Sequence, residues 1–282
     1  MKHSKIFLLL LLAHPLTANP VQDFWFNGAE INRYELSQVR YGANHPGHVE
    51  FVFVTEPFLI DKQVKDESGT GNSTDVLKLN ALRTFNTGIY SYRTMTSTFR
   101  PIDLDRFPHA LKTNTSVQDW CGQVFQQVNR REDGWRGRFF SYFEGEGDQR
   151  FELPDAWLED ELWLLIRLDP SRLPQGKIEV IPGALHTRFA HQPVEIMAAF
   201  GALKTGSKLS TYTLRYPEQA RTLTIGFDTE FPHIIRGWSD TSPQGTTTAT
   251  LKDRIMNSDY WSQNQPKDRK NRGRLGLQPV AD

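Results

Sequence analysis

Runs of β-type composition recur along most of the chain, broken by turn residues at intervals of roughly 8–15 residues. That rhythm is what an antiparallel meander requires. The expected strands cover residues 33–41, 49–54, 76–83, 89–99, 177–181, 194–203, 209–216, 222–227 and 233–238. In 49–54 only Glu50 is polar, so the strand expects cover on both faces. In 76–83, Leu77, Leu79 and Ala81 fall on one side while Lys78 and Asn80 fall on the other, a period of two. In 89–99, Tyr90, Tyr92, Thr94, Thr96 and Thr98 share one side. Aromatic and β-branched residues suit a pleated, half-buried surface. His45-Pro46-Gly47 reads as the turn between the first two strands.

Residues 154–168 interrupt the β rhythm and predict a helix. Pro154 suits a first turn, and Asp155, Glu159, Asp160 and Glu161 favour its positive N-terminal end. Leu158, Glu161, Leu162, Leu165 and Leu168 form a mostly apolar stripe, widened by Trp157, Trp163 and Leu164, so the helix packs deeply against a sheet. Residues 117–128 fit helical spacing, but the turn Arg131-Glu132-Asp133-Gly134 and the β-like residues after it favour a hairpin of 121–130 with 135–143. The fold class expected is mainly β: a curved, half-barrel-like antiparallel sheet with one prominent helix packed against it, in a single domain over 19–261.

The start of the chain points to export. Lys2, His3 and Lys5 precede the apolar run Ile6 to Ala13, and a small residue, Ala18, ends the segment. This is the order of a secretory signal peptide, assigned to residues 1–18. Its apolar run is about eight residues, against the roughly 20 needed to span a bilayer as a helix. A periplasmic or secreted location follows, with no transmembrane segment. Cys121 is the single cysteine, so no internal disulfide is available; beside Trp120 it reads as a buried, inert core residue. Lys plus Arg and Asp plus Glu balance at 33 each, which gives no global attraction to nucleic acid. Residues 262–282 collect Lys267, Arg269, Lys270, Arg272 and Arg274 among polar residues and read as a basic, disordered tail.

Motifs for chemistry are sparse. Gly-x-Ser-x-Gly, Gly-x-Gly-x-x-Gly, P-loop and His-Glu-x-x-His patterns do not occur. Asn72-Ser73-Thr74 and Asn114-Thr115-Ser116 are glycosylation sequons that matter only in a eukaryotic secretory pathway. His45 and His48 are close enough for a metal pair but also flank the expected turn. Glu144, Glu146 and Asp148 set three carboxylates on one loop, a candidate calcium site or simply a solvated turn. Cys121 with His186, His191 or His233 is a conceivable nucleophile pair. The aromatics Tyr90, Tyr92, Trp120, Phe125, Tyr142 and Trp163, with Trp135 and Phe139, either line the concave face of the sheet as a ligand surface or fill a core. No cofactor is expected.

The stretches Phe85-Asn86-Thr87-Gly88-Ile89-Tyr90-Ser91-Tyr92, Gln118-Asp119-Trp120-Cys121-Gly122-Gln123-Val124-Phe125 and Ser141-Tyr142-Phe143-Glu144-Gly145-Glu146-Gly147-Asp148-Gln149 resemble a family of exported bacterial proteins of unknown function. Its members often carry the label "septum formation inhibitor Maf". True Maf proteins are cytoplasmic nucleotide pyrophosphatases with a phosphate-binding motif near the start, which this chain lacks. The strand order is also loosely similar to periplasmic carriers of the LolA/LolB type. The resemblance implies bacterial export and transfers no activity to any residue.

These readings favour a non-enzymatic binding or carrier protein for an apolar or amphipathic ligand. The alternative is an envelope hydrolase using Cys121 or the loop of Glu144, Glu146 and Asp148.

Overall fold

The computed structural model describes residues 24–277. The expected signal peptide lies outside the described residues, as does the end of the basic tail. The elements in order are β1 (Ala29–Arg40), β2 (Ala43–Leu59), β3 (Ser73–Thr87), β4 (Tyr90–Pro101), β5 (Lys112–Gln118), β6 (Gln123–Arg131), β7 (Gly134–Ser141), β8 (Gln149–Pro154) and β9 (Trp157–Leu158). Helix α1 (Glu159–Leu168), β10 (Gly176–Ile181) and helix α2 (Ala184–Ala190) follow. The chain then forms β11 (Met197–Lys204), β12 (Leu209–Tyr216), β13 (Arg221–Asp228), β14 (Ile235–Ser242) and β15 (Gly245–Ser258). The protein is mainly β, as expected. No helix among the described residues is long and apolar enough to cross a membrane.

All the strands belong to one 15-stranded sheet, ordered β8-β7-β6-β5-β4-β3-β2-β1-β15-β14-β13-β12-β11-β10-β9. Neighbours are antiparallel except β9 and β10, which run parallel through Trp157 opposite Val180 and Leu158 opposite Ile181. The two edges of this order, β8 and β9, are consecutive in the chain. Pro154 and Trp157 are separated only by Asp155 and Ala156, and a chain extends at most about 3.6 Å per residue. The edges therefore meet, and the sheet curls round its own interior. Side chains pack this seam where the ladder is open: Val128 and Trp135 from one wing join Ala156, Leu158 and Ile181 from the other. The Trp135 indole donates to the Ala156 carbonyl at 2.9 Å.

Helix α1 runs inside the curled sheet. A helix of this length is marginal alone, but Leu162, Leu164, Leu165 and Ile166 are all fully buried. Each such burial contributes roughly 1.5–3 kcal/mol. Its three buried charged residues each grip a different part of the wall. Glu161 accepts from Arg100 on β4, from His109 Nδ1 at 2.9 Å and from the Ala110 amide at 2.5 Å. Arg167 forms a fork with Glu30 on β1, both bonds at 2.7 Å. Glu159 binds β12 and β13.

Three local expectations change. The helix begins at Glu159 rather than Pro154, because Gln149–Pro154 pairs with β7 and Trp157 and Leu158 pair with β10. The turn between β1 and β2 is not His45-Pro46-Gly47, which lies within β2. It is Tyr41-Gly42, with φ of 52° and 74°, the left-handed pair that a tight hairpin demands. Strand β15, which pairs β1 and so joins the two halves of the sheet, was not among the expected strands. Beyond it, a 3-10 stretch Pro266–Leu275 places Leu275 against Ile31 and Ile255.

Candidate functional site

Alternation of strand direction sends the hairpin turns after β1, β3, β5, β7, β12 and β14 to one end of the curled sheet. Helix α2 sits at that end too, between the close of β10 and the start of β11. Beneath it lies a cavity of about 290 Å³, bounded by β1–β4, β13–β15, the first turn of α1 and one side of α2.

One wall is apolar. Phe51, Leu79, Ala81, Trp163, Leu223 and Trp238 line it. Trp238 stacks on Phe51 with ring centroids 5.1 Å apart, and Trp163 meets both edge-on, at 5.2 Å from Trp238 and 5.5 Å from Phe51. Thr94, Thr96 and Thr98 extend the β4 side of the wall with short polar groups.

The other wall is polar. Arg221, the first residue of β13, holds Glu159 through bonds of 2.6 and 2.7 Å and Asp240 through bonds of 2.8 and 2.9 Å. The Tyr216 hydroxyl donates to Glu159 at 2.6 Å. Burial alone would raise the Glu159 carboxyl, but Arg221 and Tyr216 hold it below the usual carboxylate range. Its neighbour Asp160 has no cation within 4.0 Å among the described residues. Burial, reinforced by the charge of Glu159, pushes its pKa up to about 7. Burial, followed by the charge of Arg221, lowers His186, whose Nε2 is sealed from solvent with no hydrogen-bond partner among the described residues.

Two further cations border the cavity. Arg40 donates to the Phe189 carbonyl of α2 at 2.6 Å and lies among the rings of Tyr41, Tyr92 and Phe189. Arg83 donates to the Gln38 Oε1 at 2.5 Å. Burial pushes Arg83 down to about 10, while Asp240 pulls the other way. Neither arginine has a carboxylate within 4.0 Å among the described residues.

The aromatic residues singled out from the sequence are distributed differently. Trp163 lines the cavity. Tyr92 is buried, stacked on Phe85 at 4.9 Å, with its hydroxyl 2.8 Å from that of Tyr41. Tyr90 packs beside it at 5.7 Å. Trp120 and Tyr142 are exposed, 70% and 62%, in or beside the turns at the α2 end. Phe125 faces outward from β6, beside Phe140. Trp135 and Phe139 are core residues.

Glu144 and Asp148 are exposed, while Glu146 is half-buried. Glu146 accepts from Ser141 at 2.6 Å, and its other oxygen lies 2.6 Å from His191 Nδ1 and 3.7 Å from Arg188. The contact ties α2 to the loop after β7. Among the described residues no group of three or more His, Cys, Asp or Glu is placed to hold a metal ion. Cys121 is exposed, contrary to the expectation of a buried core residue. It sits in the turn from β5 to β6, where Asp119 accepts from its amide at 2.6 Å, and a two-strand turn leaves no core to enter.

The sequence analysis did not single out Gln38, Arg83, Asp160, Arg221 or Asp240 for a site. A signal was present for two. Arg83 continues the inward series Leu77, Leu79, Ala81, and Arg221 heads the buried face of β13, which continues through Leu223, Ile225 and Phe227. A charge on the core side of a strand marks a paired or functional group.

No family model and no curated protein matches the sequence. Among solved structures, the fold is similar to a β-barrel-like protein of the domain of unknown function DUF1849 from Brucella abortus. The TM-score is 0.50 at 8% identity, over 83% of this chain and 99% of that one. At that identity the likeness concerns the fold alone. It places the chain with mainly β, barrel-like proteins built on one curved sheet.

Proposed function

We propose that this is an exported binding or carrier protein that holds a small amphipathic ligand inside its curled sheet. The observation that carries the reading is the cavity under α2, with a Trp/Phe/Leu wall facing a wall of buried charge. Apolar pockets with a few placed polar groups are how proteins hold such ligands. Its volume, about 290 Å³, lies at the low end of the roughly 300–1,000 Å³ typical of ligand sites, which suits one chain or a small ring system. The signal peptide assigned to residues 1–18 supports work in the bacterial envelope, and the loose similarity to LolA/LolB carriers motivates the same reading.

The neutral fluorescent probe N-phenyl-naphthylamine tests it. Saturable, one-to-one binding is expected, and Ala81→Trp, which fills the apolar wall, abolishes it. Absence of saturable binding, or equal binding by the filled variant, overturns the reading.

A further inference from the structure

Building on that reading, we propose that the cavity selects a ligand with an anionic oxygen head group, a carboxylate or phosphate ester on one apolar chain, and that Arg83, set by Gln38, receives it. Arg83 is partly buried. The fully buried arginines Arg100, Arg167 and Arg221 are already neutralised: Arg100 by Glu161, Arg167 by Glu30, and Arg221 by Glu159 and Asp240. Arg83 is not. Among the described residues its one hydrogen bond goes to a neutral amide, and the guanidinium fork carries five N–H donors in all.

Gln38 is fixed in turn. Its Nε2 donates to the Val39 carbonyl at 2.9 Å and to Thr247 Oγ1 at 3.1 Å, so its oxygen must face Arg83. The guanidinium is thereby oriented before any ligand enters, which is the arrangement that suits two-point recognition of a carboxylate or phosphate. Arg83 and Ala81 share the inward face of β3 two residues apart, with Leu79 next along that face. A head group on Arg83 therefore lays its chain directly onto the apolar wall. Arg40 adds a second cation to the same cavity. Of the acids that line it, Glu159 and Asp240 are held by Arg221, and Asp160, with its pKa pushed up to about 7, carries only about half a charge at neutral pH and less below it.

Competition against N-phenyl-naphthylamine with decanoate, decyl phosphate and decanol tests the head group separately from the cavity. The wild type is expected to bind the better of the two anions ~10-fold or more tightly than decanol. Arg83→Gln is expected to bring the anions to within about twofold of decanol while decanol binding holds, and Arg83→Lys to retain part of the preference. Whichever anion binds more tightly identifies the head-group source. Equal binding of anions and decanol by the wild type overturns the inference and leaves the cavity reading standing. So does an undiminished preference in a folded Arg83→Gln protein. Failure of the neutral probe to bind the wild type overturns both.

Discussion

Arg221 of β13 grips Glu159 of α1 through two near-parallel bonds, Nη1 to Oε2 at 2.6 Å and Nη2 to Oε1 at 2.7 Å. The pair fastens the first turn of the internal helix to the sheet at the floor of the cavity. It is nearly sealed from water, so each member is tolerated only while the other is present. Arg221→Met leaves Glu159 and Asp240 without their cation and is expected to lose about 3–5 kcal/mol of stability. Adding Glu159→Gln to that variant is expected to recover part of the loss. Urea unfolding of both single variants and the double variant gives the coupling; additive effects would contradict a direct pair.

Asp160 makes stability depend on pH in the direction opposite to an ordinary salt-bridged carboxylate. Its pKa in the fold is raised, to about 7, by burial first and Glu159 second, with the Ala184 amide, Arg221 and Thr113 opposing. Its penalty is therefore absent at pH below about 4, grows as pH climbs, and is full above pH 7. Asp160→Asn removes it. The variant is expected to match the wild type near pH 4 and exceed it at pH 8 by up to about 4 kcal/mol. Thermal melts of the two proteins across that range check the difference, in which the other carboxylates cancel. A constant difference would contradict the assignment.

Trp135 closes the seam where β8 and β9 meet without a ladder. Trp135→Ala removes both its buried ring and its bond to the Ala156 carbonyl, and is expected to cost about 3–5 kcal/mol. Trp135→Phe removes mainly the bond and costs about 1 kcal/mol. Hydrogen exchange in Trp157 and Leu158 should accelerate more than in central β1. Uniform acceleration would mean that the seam is not a local closure.

Cys121 lies exposed in a turn. A thiol reagent is expected to modify it fully in the native protein, and Cys121→Ser is expected to leave stability within about 0.5 kcal/mol of wild type. Protection until unfolding would restore the core residue that its neighbour Trp120 suggested.

Much of the sheet was legible because period-two burial is written directly in residues such as Leu77, Leu79 and Ala81. The Tyr/Thr series of β4 was read correctly as one face, and Thr94, Thr96 and Thr98 do border the cavity. The curved antiparallel sheet was expected from the sequence, but the joining of its two halves was harder to read, since it depends on β15 pairing β1 across more than 200 residues. The site was obscured for a related reason. Glu159, Asp160 and Glu161 read as acids that favour the positive end of a helix packed against a sheet, because local sequence does not reveal that Arg100 and Arg221 of the surrounding strands meet Glu161 and Glu159 there. Aromatic content pointed to Trp163 but equally to Trp120 and Tyr142, whose positions in or beside turns keep them exposed.

The most direct measurement uses the tryptophans of the apolar wall. Decanoate carrying bromine on its terminal carbon quenches indole fluorescence on close contact. Titration is expected to quench Trp163 and Trp238 saturably, with the effect lost in Ala81→Trp for those two residues and in Trp163→Phe/Trp238→Phe. Weak, unsaturable quenching that persists in the double phenylalanine variant would come from exposed residues such as Trp120 and Trp261, and would contradict an internal ligand site.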